Sequence, residues 1–349
     1  MTILYLYAEL MGYQIPVFKE YVKSYNAEVH VVHWNHKKIT PYVPPILENV
    51  SYYNRSEYDK TSLITLAQQL KPNIIYVSGW MDKEYMMVCY ELKKNGIPIV
   101  AGCDTMWRGD LRQKLGRFYF KFFLKKNFSF IWVAGPYQYE YAKRLGFINS
   151  EIIFHSLTAN NYLFNYDEEK FTKTNKKFLY VGNFKKIKGT DILIKAFELY
   201  QKKYQGKWGL TCYGNGELQY LLEDKHNVEI KPFSSQEDLA VSTKNYGAFI
   251  LPSRLDQWGV VLHEFSLQGL PLLSSDKVGA RATFLIDNFN GYTFKNEDFE
   301  DLANKMYQLE KTDYNTLKKF KKNSNVLGHR VTVDIVAGSF MSAILNNKK

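Results

Sequence analysis

Short β-rich runs alternate with amphipathic stretches along the first half of the chain. Runs rich in β-branched and aromatic residues at 3–7, 28–33, 73–77, 98–101 and 129–133 predict strands. Helical spacing of apolar positions predicts helices near 16–24, 60–70, 81–94, 111–126 and 137–145. A polar, poorly patterned stretch at 160–177 reads as a linker. The alternation then restarts. Strands are expected at 178–181, 209–212, 228–230, 248–251 and 270–274, and helices at 190–204, 217–223, 235–243 and from Gly259. A last helical pattern covers 331–346. Strand–helix alternation argues for α/β domains with parallel sheets covered on both faces. The expected division is 1–165 and 166–330, with 331–349 packing back on the first domain. Ligands of such folds sit at the carboxyl ends of the strands, here in a central cleft between the domains.

Composition narrows the class. The 349 residues are 46 % hydrophobic and 23 % charged, as in a globular protein. No run approaches the ~18 apolar residues of a membrane span. The first residues lack a basic segment before their apolar run, so they read as a strand rather than a signal peptide. Cys89, Cys103 and Cys212 are odd in number and far apart, which fits a reducing, cytoplasmic setting.

The formal charge is +11, carried mostly by lysine. Such a protein tends to meet phosphate, on a nucleotide, a lipid or nucleic acid. No nucleic-acid-binding motif accompanies the charge, so nucleic acid is not an expected partner. Basic and aromatic residues concentrate in 111–132, LRQKLGRFYFKFFLKKNFSFIW. This segment has two readings. It is either a helix whose apolar face meets the core, or one whose apolar face lies on an anionic membrane. The second would make the protein peripheral at the inner face of the plasma membrane.

Two stretches carry candidate chemistry. In Gly182-Asn183-Phe184-Lys185-Lys186-Ile187-Lys188-Gly189 a strand ends in a glycine turn, followed by lysines and a helix start. Backbone N–H groups and lysines there suit a diphosphate, although a solvated turn looks the same. In Asp256-Gln257-Trp258-Gly259-Val260-Val261-Leu262-His263-Glu264, a loop carboxylate precedes a helix that carries a second carboxylate. Both can face one ligand, together with the first N–H groups of that helix. Other signals are weaker. His30, His33 and His36 would alternate faces of a strand, so they do not suggest zinc. Gly214-Asn215-Gly216 lacks the third glycine of a dinucleotide fingerprint, since position 219 is glutamine. No Asp-x-Asp occurs, and no metal or other cofactor is expected.

The stretch from Phe178 to Phe294 resembles the donor-binding domain of GT-B glycosyltransferases, in particular retaining family 4. The resemblance rests on Gly182-Asn183-x4-Lys188-Gly189, on Asp256-x7-Glu264 enclosing Trp258-Gly259, on Gly269-Leu270-Pro271, and on Ser275-Asp276 with Val278-Gly279. It implies two Rossmann-like domains and transfer of a sugar from a nucleotide diphosphate-sugar to a hydroxyl acceptor, without metal. The acceptor would be a glycan, lipid-linked or on the cell surface. By the same resemblance Lys188 would hold the diphosphate and Glu264 the ribose. Asp256 with the backbone of Gln257, Trp258, Gly259 and Val260 would hold the sugar and phosphates. Gly182 and Asn183 would line the phosphates, and Gly214 and Phe233 the nucleobase. Two positions depart from the family: Asn183 replaces an arginine, and Asp256 replaces a glutamate. A non-catalytic nucleotide-sugar-binding partner and a nucleotide-sugar epimerase are therefore the alternatives. On the acceptor side, Asp104 stands where the family often has a histidine. It could take the acceptor proton or merely cap a helix. Gly12, after the first strand, suits close approach of a ligand to backbone, or a plain turn.

Overall fold

The computed structural model describes residues 1–35, 42–166 and 175–347. These fall into two compact units, Met1–Thr158 with Val333–Lys349, and Ala159–Thr332.

Unit 1 holds a parallel sheet of β1 (Thr2–Tyr7), β2 (Glu28–His33), β3 (Val50–Asn54), β4 (Ile74–Val77), β5 (Ile99–Cys103), β6 (Phe130–Val133) and β7 (Ile152–Phe154), ordered β3-β2-β1-β4-β5-β6-β7. Its helices are α1 (Ile15–Tyr25), α2 (Lys60–Leu70), α3 (Lys83–Lys94), α4 (Leu111–Tyr119) and α5 (Pro136–Arg144). Sequence reading missed the edge strands β3 and β7. The first is only half buried, so its pattern resembles a loop. Expected helix 81–94 starts later because Asp82 caps it, its carboxylate accepting from the N–H groups of Glu84 and Tyr85. Expected helix 111–126 is regular only to Tyr119. A wider turn at Phe120–Leu124 then bonds the Lys125 N–H to the Phe120 carbonyl, and a short tight turn follows.

Unit 2 holds β8 (Asn175–Val181), β9 (Gly209–Tyr213), β10 (Val228–Lys231), β11 (Tyr246–Leu251), β12 (Leu272–Ser275) and β13 (Gly291–Phe294), parallel and ordered β10-β9-β8-β11-β12-β13. Around it lie α6 (Thr190–Tyr204), α7 (Gln236–Ser242), α8 (Val260–Leu267), the single turn α9 (Arg281–Phe284), α10 (Phe299–Glu310) and α11 (Tyr314–Gly328). The expected helix at 217–223 shrinks to a turn at Gln219–Leu221. Its backbone is bonded elsewhere, with the Leu218 N–H on the Phe184 carbonyl at 2.9 Å. The expected linker is partly core: Phe164 is fully buried against Phe265, and 175–177 belong to β8. Residues 167–174 of that linker lie outside the described residues.

The final helix, α12 (Val333–Asn346), belongs to unit 1. Its Phe340 is fully buried among the rings of Tyr5, Tyr21, Tyr76 and Trp132. The Trp132 indole N–H also donates to Ser339 Oγ at 3.1 Å.

Candidate functional site

In unit 2 the order of the strands reverses between β8 and β11, and both strands end in glycine-bearing loops. Such a switch point opens a crevice beyond the strand ends. The loop after β8 runs through Gly182, Asn183 and Lys188 into α6; the loop after β11 runs through Asp256 into α8. Lys188 Nζ and Asp256 Oδ2 meet across these loops at 2.7 Å, with the Asp256 side chain mostly buried.

The loops are tied together below that pair. Arg254 donates to both oxygens of Asp191, at 2.6 and 2.8 Å, and to Glu297 at 2.9 Å. Its backbone N–H donates to the Ile187 carbonyl. These charges hold the Asp191 carboxyl below, and the Arg254 guanidinium above, their usual ranges. Gly189 sits at φ 73°, and a Cβ there would collide with the Pro252 carbonyl. Asp256 pairs along the backbone with 277–279: its N–H bonds Lys277 O at 3.1 Å and its carbonyl takes the Gly279 N–H at 3.0 Å. Ser275 Oγ donates to the Ser253 carbonyl at 2.7 Å. The Ser275 to Gly279 motif thus buttresses the Asp256 loop.

Gly259 caps α8 at φ 91°, and Val260 is the first residue of the helix. Trp258 contributes backbone only. Its ring is buried, edge-on to Phe284, and its carbonyl accepts from Ala280 at 2.7 Å. Gln257 is half exposed beside it. Glu264, further along α8, is buried and accepts from Gln236 Nε2 at 2.6 Å. Burial pushes its pKa up to about 7 despite that bond. Gln236 is the first residue of α7, and no sequence signal singled it out. His263 faces the opposite way. It is fully buried, accepts the Ala159 N–H at Nδ1, donates from Nε2 to the Gly328 carbonyl, and burial lowers its pKa to about 3.

Gly214 touches the neighbouring loop: a Cβ there would strike the Gly182 carbonyl. This explains the glycine through backbone packing. Phe233, after β10, is largely exposed.

Gly12 and Asp104 belong to unit 1 and are not part of this group. Gly12 opens a short turn, Gly12–Gln14, after β1. Asp104 is exposed in the loop after β5. It does not cap the next helix; Asp110 does, accepting from the Gln113 N–H at 2.8 Å. Burial raises the pKa values of Tyr7, Tyr13 and Tyr76, and the nearby Asp104 charge adds a smaller push in the same direction. Gln14 donates to Tyr7 Oη at 3.0 Å. This tyrosine cluster escaped sequence reading because its members lie on separate elements.

No group of three His, Cys, Asp or Glu among the described residues is placed to hold a metal ion. His30 Nδ1 lies 3.0 Å from Tyr53 Oη and His33 Nδ1 3.2 Å from the Trp34 carbonyl; His36 lies outside the described residues.

Comparison with known proteins agrees with this architecture. A poly(ribitol-phosphate) alpha-N-acetylglucosaminyltransferase of Staphylococcus aureus (strain COL) is 25 % identical over 179 residues, which is 49 % of this chain and 36 % of that protein. The chain thus spans about a third of that curated relative's length. A glycosyltransferase of Rickettsia africae ESF-5 superposes with a TM-score of 0.76 at 12 % identity, covering 100 % of this chain and 98 % of the other. Anabaena HepE, in complex with UDP, superposes with a TM-score of 0.75 at 14 % identity, covering 98 % and 99 %. At such identities the likeness establishes the fold, the two Rossmann-like units of GT-B proteins. Residues 164–326, which contain the loops of β8, β11 and β12, match the family model of glycosyl transferases group 1, so that this part of the chain is similar to that family.

Proposed function

We propose that the chain is a retaining glycosyltransferase of the family 4 type, moving a sugar from a nucleotide diphosphate-sugar to a hydroxyl of a glycan acceptor. The observation that carries this reading is the Lys188–Asp256 ion pair at the switch point of a group 1 domain.

Breaking the sugar–phosphate bond leaves positive charge at the anomeric carbon and adds negative charge to the diphosphate. Lys188 and the first N–H groups of α8 supply the opposite charge to that leaving group. Asp256 keeps Lys188 extended until the donor arrives. It then holds sugar hydroxyls, together with the backbone of Gln257 to Val260. Glu264 accepts from the ribose hydroxyls, and Gln236 orients its carboxyl. Gly182 and Asn183 line the diphosphate, with the exposed Lys185 and Lys186 supplying the charge an arginine at Asn183 would carry. Gly214 and Phe233 border the base. Asp104, among Tyr7, Tyr13 and Tyr76, positions the acceptor hydroxyl or takes its proton. Charge on the diphosphate is met without a metal or other cofactor. Two named relatives favour particular substrates: HepE binds UDP, and the staphylococcal enzyme is named for a polyol-phosphate chain. A UDP-sugar and a hydroxyl-rich, anionic cell-surface polymer, free or lipid-linked, fit the net charge of +11.

The test is thermal shift with UDP, other nucleoside diphosphates and their sugars, on wild type and Glu264→Ala. One nucleotide should raise the wild-type melting temperature. The variant should bind it about 10- to 100-fold more weakly, the loss of a charged hydrogen-bond acceptor. Absence of any nucleotide shift would overturn the donor assignment. With the donor known, the anomeric configuration of the product, read by NMR, decides retention. Binding with neither transfer nor slow donor hydrolysis would favour the non-catalytic partner, and isomerised donor the epimerase.

A further inference from the structure

The helix α4 and the wide turn after it face the wrong way for a core-packed amphipathic helix. Leu111, Leu115, Phe118, Tyr119, Phe122 and Phe123 are all more than half exposed, from 52 % at Phe118 to 71 % at Leu111. Leu111, Leu115, Phe118 and Phe122 follow one another at helical spacing, so they form a single stripe. What unit 1 buries from this segment is small. Gln113 bonds the backbone of Met106, Arg108 and Gly109, and Phe120 stacks on Phe128 with ring centres 5.8 Å apart. These two anchors fix the segment with its apolar stripe outward. The core-facing reading of 111–126 is therefore incorrect.

Within the segment itself the charge has one sign, although Lys125 pairs with Glu151 beside it. Between Leu111 and Trp132 there are six basic residues and no acidic one. Arg112, Lys114, Lys121 and Lys126 are exposed. The aromatic part of the patch continues onto α3, where Tyr90 is exposed with Lys126 Nζ 5.9 Å from its ring centre; Lys94, 3.9 Å from the same ring, is paired with Glu91.

We propose that this face docks on an anionic lipid bilayer, the apolar stripe entering the headgroup boundary and the lysines meeting lipid phosphates. Charge complementarity selects this occupant. A second copy of the same face would bring two net-basic patches together, with Arg112, Lys114, Lys121 and Lys126 exposed on each. A soluble polyanion would pair with the lysines but leave six large apolar side chains in water. A bilayer satisfies both, because long lysine stems reach the headgroups while rings and leucines sit below. Among the described residues no helix is long and apolar enough to cross a membrane, so the contact is interfacial. This inference stands independently of the proposed activity.

The test is flotation of the purified chain with vesicles of phosphatidylcholine containing about one third phosphatidylglycerol, against phosphatidylcholine alone. Wild type should float with the anionic vesicles, and salt should weaken the association. Leu115→Ser with Phe118→Ser and Phe122→Ser should lower partitioning by about tenfold per side chain. Lys114→Glu with Lys121→Glu and Lys126→Glu should abolish it. All six positions are exposed, so both variants should melt like wild type; that melt is the folding control. Three results overturn the proposal. The wild type fails to float; the serine variant floats as well as wild type while the glutamate variant does not, which marks a polyanion site; or light scattering without lipid shows a dimer that the serine variant dissolves.

Discussion

At the carboxyl ends of their sheets the two units use different materials. In unit 2 the ends of β8, β11 and β12 are joined by backbone hydrogen bonds, by glycines that let loops touch, and by the Arg254 fork on Asp191. In unit 1 the ends of β1, β4 and β5 carry Tyr7, Tyr13 and Tyr76 around Asp104, and a nest of rings closes the sheet beneath. The difference tracks what each end can hold. Fixed N–H groups and cations suit one small anion of defined shape. Rings and hydroxyls suit a larger, hydroxylated surface.

The comparison predicts where each unit is fragile. Phe340→Ala should cost about 3–4 kcal/mol, since it empties a buried aromatic nest. Denaturant unfolding measures the loss, and hydrogen exchange should localise it to β1, β4 and β6. Equal loss of protection in unit 2 would break the comparison. Gly189→Ala should cost about 3 kcal/mol, because the new methyl meets a backbone carbonyl at φ 73°. Gly102→Ala in unit 1 meets the Tyr76 hydroxyl and ring, a side chain rather than backbone and at an ordinary φ, and should cost less, about 1–2 kcal/mol. Equal costs would show that the loops of unit 2 yield as readily as a side chain.

Protonation sharpens the contrast further. Glu264 has a raised pKa of about 7, so the unfolded chain ionises first and stability falls as pH rises from about 4.5 to 7. His263 has a lowered pKa of about 3, so the unfolded chain takes the proton first and stability falls as pH drops from about 6.5 to 3. Between about pH 4.5 and 6.5 the two slopes oppose each other. Glu264→Gln should remove one of them. Stability should then rise with pH across that window, by up to about 1.4 kcal/mol per unit, and the variant should exceed wild type by about 3 kcal/mol at pH 8. A wild-type profile that already rises across that window, and that Glu264→Gln leaves unchanged, would mean the carboxyl is ionised in the folded state. The smallest effect is Arg254→Lys, about 1 kcal/mol, from loss of the two-pronged contact with Asp191; a denaturant midpoint reads it.

Legibility in the sequence follows the same divide. The unit 2 loops were readable because each constraint is local: a glycine where two backbones touch, an aspartate one loop before its glutamate. Lys188 meeting Asp256 needed only the adjacency of β8 and β11. What was missed there, Gln236 on Glu264 and Arg254 on Asp191, joins elements without any motif spacing. In unit 1 the central strands and most helices were readable from pattern, but the edge strands β3 and β7 were not. The Tyr7–Tyr13–Tyr76 cluster depends on strand order and register, which periodicity does not encode. The orientation of α4 was open for the same reason. The same apolar stripe can face in or out, and Gln113 and Phe120 decide.

The helix α12 also sets a schedule. Trp132 and the Ser339 it bonds are 207 positions apart, with all of unit 2 between them. A ribosome adding roughly 5–20 residues per second therefore leaves the ring nest of Tyr5, Tyr21, Tyr76 and Trp132 unsealed for on the order of ten seconds or more. Unit 2, being contiguous, can finish while unit 1 still waits for Phe340. The half that is made first is the half that folds last, and its open aromatic nest is what a nascent-chain chaperone would meet.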